Sequence, residues 1–146
     1  MIVLIQKKRL RFSIGMSISL LMALSSGFPV KVLAEDNYFH TPSKNIWCVY
    51  QAGMARLRCD ISQRKWKDWG CKQYGCFGPG FILPDIGKAR PKEVSDSLID
   101  SSQYSLKYGS SISFGKITCV SETSGLTCRN KTGGYLHINR EFYIAK

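Results

Sequence analysis

Six cysteines, Cys48, Cys59, Cys71, Cys76, Cys119 and Cys128, constrain this chain of 146 residues more than any other feature. An even number in a short exported chain reads as a disulfide framework, and the same number in a reducing compartment reads as thiols or a metal site. Local sequence points to disulfides. Residues 39–61, F-H-T-P-S-K-N-I-W-C-V-Y-Q-A-G-M-A-R-L-R-C-D-I, have the character of a β-hairpin. Residues 46–50 are β-branched, aromatic or thiol, and residues 57–61 alternate apolar and polar. Residues 51–54 supply the turn, with Gly53 free to take a positive φ. Counting inward from both ends sets Cys48 opposite Cys59, within reach of a bridge that would lock the register.

A shorter echo follows at residues 117–130. I-W-C-V and I-T-C-V open the two stretches, and L-R-C-D and L-T-C-R close them, so both share the pattern I-x-C-V, turn, L-x-C. The sequential pairing Cys48–Cys59, Cys71–Cys76 and Cys119–Cys128 follows, because its first and last pairs sit in predicted hairpins. Each bridge closes a short loop and should contribute on the order of 2 to 3 kcal/mol. Zinc is the competing use of these cysteines, but no C-x2-C spacing occurs and export disfavours it. No metal or other cofactor is expected.

The first 34 residues read as a secretory signal. Lys7, Lys8, Arg9 and Arg11 precede an uncharged apolar run over residues 12–30, and V-L-A stands before Glu35. That is a basic region, an apolar region and a small-residue cleavage site. An uncleaved anchor is the competing reading, since the run is nearly long enough to span a bilayer, but Gly15, Gly27, Pro29 and several serines weaken it. Lipid attachment would require a cysteine at the cleavage site, and the first cysteine is Cys48. The expected organisation is therefore a signal peptide at residues 1–34 and one secreted or periplasmic β domain at 35–146, with no stable membrane insertion after cleavage.

The leader carries five of the 21 Lys and Arg and none of the ten Asp and Glu, which leaves the remaining 112 residues at a formal net charge of +6. A basic exported domain meets anionic lipid, cell-wall polymer or acidic protein before it meets nucleic acid. The densest basic and aromatic stretch is residues 62–80, where Arg64, Lys65, Trp66, Lys67, Trp69 and Tyr74 crowd around Cys71 and Cys76. These six residues are the candidate binding set: the rings offer contact area and the cations a salt-sensitive attraction. The plainer reading is that the tryptophans plug the ends of a small core while the lysines stand in water.

Residues 81–83 read as a short strand, and residues 84–100 as a polar loop or a short helix over 94–99. Strand character returns at 112–120 and 126–130, a tight turn follows at Thr132-Gly133-Gly134, and residues 135–145 alternate as a closing strand. Short strands at this spacing make an all-β domain: a small disulfide-stapled antiparallel sheet, packed as an open barrel or sandwich built on two hairpins.

Taken in order, F-H-T-P-S-K-N-I-W-C, R-C-D-I, W-K-D-W-G, Y-G-S-S-I-S-F-G-K-I-T-C, S-G-L-T-C-R-N and G-G-Y-L-H-I-N-R-E-F-Y resemble a family of small secreted bacterial domains of unknown function. The family pattern runs F-x-S-P-S-x-N-I-x-C, R-C-D-I, D-W-G, Y-G-x-x-x-x-x-G-x-x-x-C, G-V-T-C-x-N and a final G-x-x-x-S-R-x-x-Y. The resemblance covers nearly all of residues 35–146 and implies the bridges Cys48–Cys59 and Cys119–Cys128. Family members place a further cysteine pair before D-W-G and near a later G-D-T. Here Cys71 and Cys76 both follow Asp68-Trp69-Gly70, and Ser95-Asp96-Ser97 stands where G-D-T would. The resemblance therefore does not reach the third bridge, and it implies fold and compartment only.

An enzyme is the other class to weigh. His40 and His137 are the only histidines, and no G-x-S-x-G elbow accompanies the serines. Asp60, Asp68 and Asp85 fit turn caps or arginine partners better than a catalytic pair. The expectation is a non-enzymatic binding module for an anionic envelope polymer or an acidic protein surface. An inhibitor of an exported hydrolase is the alternative, because stapled loops lose little entropy on docking, and a small hydrolase comes last.

Export and three bridges make a direct prediction. Intact-mass spectrometry of the exported, oxidised protein should give a chain beginning at Glu35 that gains two hydrogens per bridge on reduction. A mass that retains Met1 would favour the anchor, and a titrating free thiol would break the framework.

Overall fold

The computed structural model describes residues 35–67, 78–99 and 104–146. These residues form eleven β-strands and one short 3₁₀ turn. A six-stranded sheet holds β1 (Asn37–His40), β2 (Ile46–Gln51), β3 (Arg56–Ile61), β4 (Gly78–Pro84), β5 (Arg90–Val94) and β6 (Tyr104–Ser105), in the order β5-β4-β3-β2-β1-β6. Its pairs are antiparallel except β6, which runs parallel to β1. A five-stranded antiparallel meander holds β7 (Ser111–Phe114), β8 (Ile117–Glu122), β9 (Gly125–Asn130), β10 (Tyr135–Ile138) and β11 (Tyr143–Ala145), in the order β11-β10-β9-β8-β7. The fold is all-β and disulfide-stapled, with two open sheets and no closed barrel.

The two predicted hairpins are the centres of the two sheets. In β2–β3 the register sets Cys48 opposite Cys59, with an 11-residue separation and a Cα–Cα distance of 4.1 Å. In β8–β9 it sets Cys119 opposite Cys128, with a 9-residue separation and 4.0 Å. Both distances belong to the closely spaced pairs of an antiparallel ladder, where facing side chains come nearest. All four cysteines point inward. Around them Phe39, Leu57, Phe81 and Leu83 from one sheet meet Leu106, Ile117, Leu126, Leu136 and Ile138 in one shared core. Cys71 and Cys76 lie outside the described residues.

Several local expectations change. The turn after β2 is the 3₁₀ turn Ala52–Met54, and the left-handed residue that ends it is Ala55, at φ 48°, not Gly53. β4 is longer than the strand expected at 81–83 because it pairs on both sides, with β3 and with β5. Of the loop or short helix expected within 84–100, residues 95–99 take the loop: β5 occupies 90–94, and the residues after it run across the outer face of the six-stranded sheet, where Leu98 packs with Trp47 and Val49. The closing strand expected at 135–145 is two strands, because Asn139 turns the chain by accepting the N–H groups of Glu141 and Phe142 on its side chain, at 2.8 and 2.7 Å.

Polar groups fasten the elements where the core does not. Arg58, pointing outward from β3, donates to both Asp60 oxygens at 3.0 and 2.7 Å, and to the Asp96 side chain and carbonyl at 2.8 and 2.7 Å. Burial pushes the Asp60 carboxyl above the usual range, against the pull of Arg58. Tyr50 donates to Asp85, and the β7–β8 turn closes over that pair at Gly115, at φ 53°, where any Cβ would collide with the Tyr50 hydroxyl.

Asn130 joins the two sheets. Its Nδ2 donates to the carbonyl of Pro84, at the end of β4, and to that of Gly87, in the connection after it, at 2.8 and 2.7 Å. Its Oδ1 accepts from the N–H groups of Thr132 and Gly134, at 3.0 and 2.7 Å, in the turn after β9. A buried amide so fully partnered is costly to remove, since each orphaned partner keeps its desolvation penalty. Asn130→Ala should lower the unfolding free energy of the oxidised protein by about 2 to 3 kcal/mol in denaturant titration. A loss under about 1 kcal/mol would mean that water replaces the amide without cost and that the sheets are joined by the core alone.

Candidate functional site: the open face and the ends of the five-stranded sheet

The candidate segment 64–67 serves as a brace between the sheets. Trp66 is half-buried, its ring centre 6.1 Å from Phe81 and 4.8 Å from Tyr143, and its Nε1 donates to the Asn139 carbonyl at 3.1 Å. Arg64 lies over the Trp66 ring at 5.6 Å. Lys65 pairs with Glu141 at 2.8 Å, and its backbone N–H donates to the Arg140 carbonyl at 2.8 Å. Lys67 is exposed. Trp69 and Tyr74 lie outside the described residues, so the structure brings together Arg64, Lys65 and Trp66 of the expected set.

The two sheets differ in what they offer to solvent. On the outer face of the six-stranded sheet His40, Trp47, Val49, Arg58 and Ile82 are buried, in part by the chain after β5. A cavity of about 260 Å³ there is lined by Trp47, Asp60, Asp96 and Leu98, but both its carboxylates are already engaged by Arg58. The five-stranded sheet instead alternates along β8 between buried and exposed positions, as a sheet with one wet face does.

On that wet face the register sets Arg129 opposite Tyr135. Tyr135 exchanges two backbone hydrogen bonds with Lys146, at 2.8 and 3.0 Å. The Tyr135 ring thus lies beneath two cations, with Arg129 Cζ at 5.0 Å and Lys146 Nζ at 5.6 Å from its centre. Exposed Lys116 and Lys131 stand in the turns at the same end of the sheet, after β7 and β9. The sequence missed this cluster because residues 135–145 read as one strand. The signal available was Asn139, whose turn folds Lys146 back beside Tyr135.

Toward the other end of the sheet is His137. One ring nitrogen meets Thr127 Oγ1 at 2.9 Å and the other meets Asn139 Nδ2 at 3.2 Å, while the ring stacks on Phe142 at 5.3 Å. An amide nitrogen can only donate, so Nε2 accepts and Nδ1 carries the proton. Neither nitrogen is left for substrate. Beyond it, a cleft of about 180 Å³ opens among the turn after β1, the loop before β7 and the turns after β8 and β10. Among the described residues no group of three or more His, Cys, Asp or Glu side chains is placed to hold a metal ion, and no helix is long and apolar enough to cross a membrane.

Comparison with known proteins adds no relative: no family model, no curated protein and no solved structure matches the chain.

The environment of His137 has a consequence for pH. Burial holds its imidazole below the ordinary value of 6.5, with the Glu122 charge pulling the other way. The folded state therefore binds fewer protons than the unfolded state as pH falls through about 6.5, and stability drops with it. Denaturant midpoints should fall between about pH 7.5 and 5.5, and His137→Gln should flatten that slope. An unchanged slope in the variant would assign the titration to another group.

Proposed function

We propose that the protein is an exported, non-enzymatic binding module for an anionic polymer of the cell envelope. The observation that carries this reading is the Tyr135 ring held under Arg129 and Lys146 on the open face of the five-stranded sheet. An aromatic face under two cations offers contact area and charge together, at a place the core does not occupy. Lys116 and Lys131 add charge at the same end, and the formal charge of +6 on residues 35–146 gives long-range attraction of the same sign. Two disulfides at the sheet centres suit an oxidising compartment, which supports a secreted or periplasmic location. The resemblance to small secreted bacterial domains, carried by F-H-T-P-S-K-N-I-W-C, R-C-D-I, S-G-L-T-C-R-N and the other motifs quoted above, points the same way. The engagement of both His137 nitrogens favours binding over acid–base chemistry.

Sedimentation of the purified, oxidised protein with an anionic envelope polymer should show binding that weakens as salt rises. Arg129→Glu with Lys146→Glu should abolish most of it while leaving the thermal midpoint nearly unchanged. Lys65→Glu with Lys67→Glu should weaken it less, because Lys65 is already paired with Glu141. Parental binding in the Arg129 and Lys146 variant would overturn the assignment of the face. Salt-insensitive, saturable inhibition of an exported hydrolase would replace the polymer reading by the inhibitor one.

A further inference from the structure

The cleft at the far end of the same sheet has a different chemistry. Its walls are Thr41 and Ser43 from the turn after β1, Tyr108 from the loop before β7, Glu122 and Thr123 from the end of β8, and Arg140 from the turn after β10. Ile46 and Gly125 also line it. Four separate pieces of chain meet there, and each is tied down. Thr41 accepts the Ile46 N–H on its hydroxyl at 3.3 Å, and Asn139 donates to the Ser124 carbonyl at 3.1 Å, joining the turns after β8 and β10. Arg140 donates to Gln63 at 2.7 Å, and Asn45 exchanges two hydrogen bonds with the Gln63 backbone at 3.0 and 2.7 Å. The frame is set before any ligand arrives.

Within this frame three groups make no hydrogen bond to the described protein: the Tyr108 hydroxyl, the Glu122 carboxylate and the Thr123 hydroxyl. Each is exposed, and Tyr108 as a residue is 43% accessible. Arg140 uses one Nη toward Gln63 and keeps further N–H groups. The cleft therefore offers a carboxylate acceptor, guanidinium donors and two hydroxyls beside an exposed aromatic ring, and its two charges oppose each other. An anion would meet Glu122 without a gain in net charge, and a cation would meet Arg140. A neutral ring with several adjacent hydroxyls satisfies both, because each hydroxyl can donate to Glu122 and accept from Arg140 while the apolar ring face lies on Tyr108.

We infer that this cleft binds one neutral hexopyranose unit of a glycan, with Glu122 and Arg140 forking its hydroxyls and Tyr108 beneath its ring. The site is independent of the cationic face around Tyr135 and its binding is insensitive to salt, since a neutral ligand gains nothing from long-range charge.

The test is amide NMR of the purified, oxidised full chain titrated with glucose, galactose, mannose and N-acetylglucosamine at low and high salt. At least one sugar should produce saturable, salt-insensitive shifts at Thr123, Gly125 and Arg140. Tyr108→Ala and Glu122→Gln should each weaken that binding roughly tenfold, the loss of one stacking or hydrogen-bonding partner. Both residues are exposed and make no hydrogen bond to the described protein, so both variants should keep the parental spectrum elsewhere, apart from the surroundings of His137 in Glu122→Gln, where the Glu122 charge acts. Arg129→Glu with Lys146→Glu should leave sugar affinity as it was. The absence of saturable shifts with all four sugars would overturn the inference. So would parental affinity in both cleft variants, or shifts confined to Arg129, Tyr135 and Lys146.

Discussion

Both sheets depend on a covalent bond between two strands at an inward-facing pair. A strand that slips by one residue turns all its side chains to the opposite face, so the bridges Cys48–Cys59 and Cys119–Cys128 fix which residues enter the core as well as how far the strands can separate. A domain of this size buries a modest core, and the register of its central hairpins is where error would cost most. With Cys48 facing Cys59, the neighbours Phe39 and Phe81 fall on the same inward row. With Cys119 facing Cys128, Ile112 and Leu136 do so in the other sheet. The short loops closed by the bridges make each worth on the order of 2 to 3 kcal/mol, a large share of the net stability of a small domain.

Hydrophobic rows hold the sheets together, but polar groups set how their loops lie. Asn130 connects the connection after β4 to the turn after β9, and Gly134 must lack a side chain there because a Cβ would run into the Gly87 carbonyl. Arg58 holds the chain after β5 against the outer face of the six-stranded sheet through Asp60 and Asp96. Such an ion pair contributes little net energy compared with an apolar pair of equal volume, because both charges lose water. Its contribution is specificity: a guanidinium with fixed donor directions accepts one placement of residues 94–98.

The hairpins, their bridges and the all-β class were legible because they rest on local signals: β-branched runs, alternation, turn residues and matched cysteines. The layering was not. Pairing of β6 parallel to β1 joins residues far apart in sequence, and β5, although it pairs with the adjacent β4, is hidden because residues 84–91 read locally as a loop. The sequence does not decide between the loop and the short helix at 94–99 for a related reason: Leu98 is held by Trp47 and Val49 of another strand, and no local periodicity records that. In the candidate binding segment, Arg64, Lys65 and Trp66 leave two readings open, a basic aromatic surface or rings that plug the core beside solvated lysines. Composition does not say that Phe81 and Tyr143 would claim the ring or that Glu141 would claim the lysine.

One contrast between the hairpins records which sheet keeps a face to solvent. I-W-C-V-Y in β2 is apolar without interruption, and a strand of that kind is buried on both faces. I-T-C-V-S-E in β8 alternates, and such a strand keeps one face wet. The same I-x-C-V pattern therefore serves as the middle layer in one sheet and as an outer layer in the other. What can meet a partner broadly is consequently the outer face of β7 to β11. There Thr118, Arg129 and Tyr135 form one cross-strand row, and Val120, Thr127, His137 and Ile144 the next. The first row carries cations and the second an imidazole with exposed apolar neighbours, and the carboxylate of Glu122 follows at the end of β8, so the face loses its positive charge along its strands. A polymer lying along it would meet cations at one end and, at the other, the cleft whose Glu122 and Arg140 charges offset each other. The division follows from the alternation of β8 and β9 and from the Asn139 turn that returns Lys146 to Tyr135.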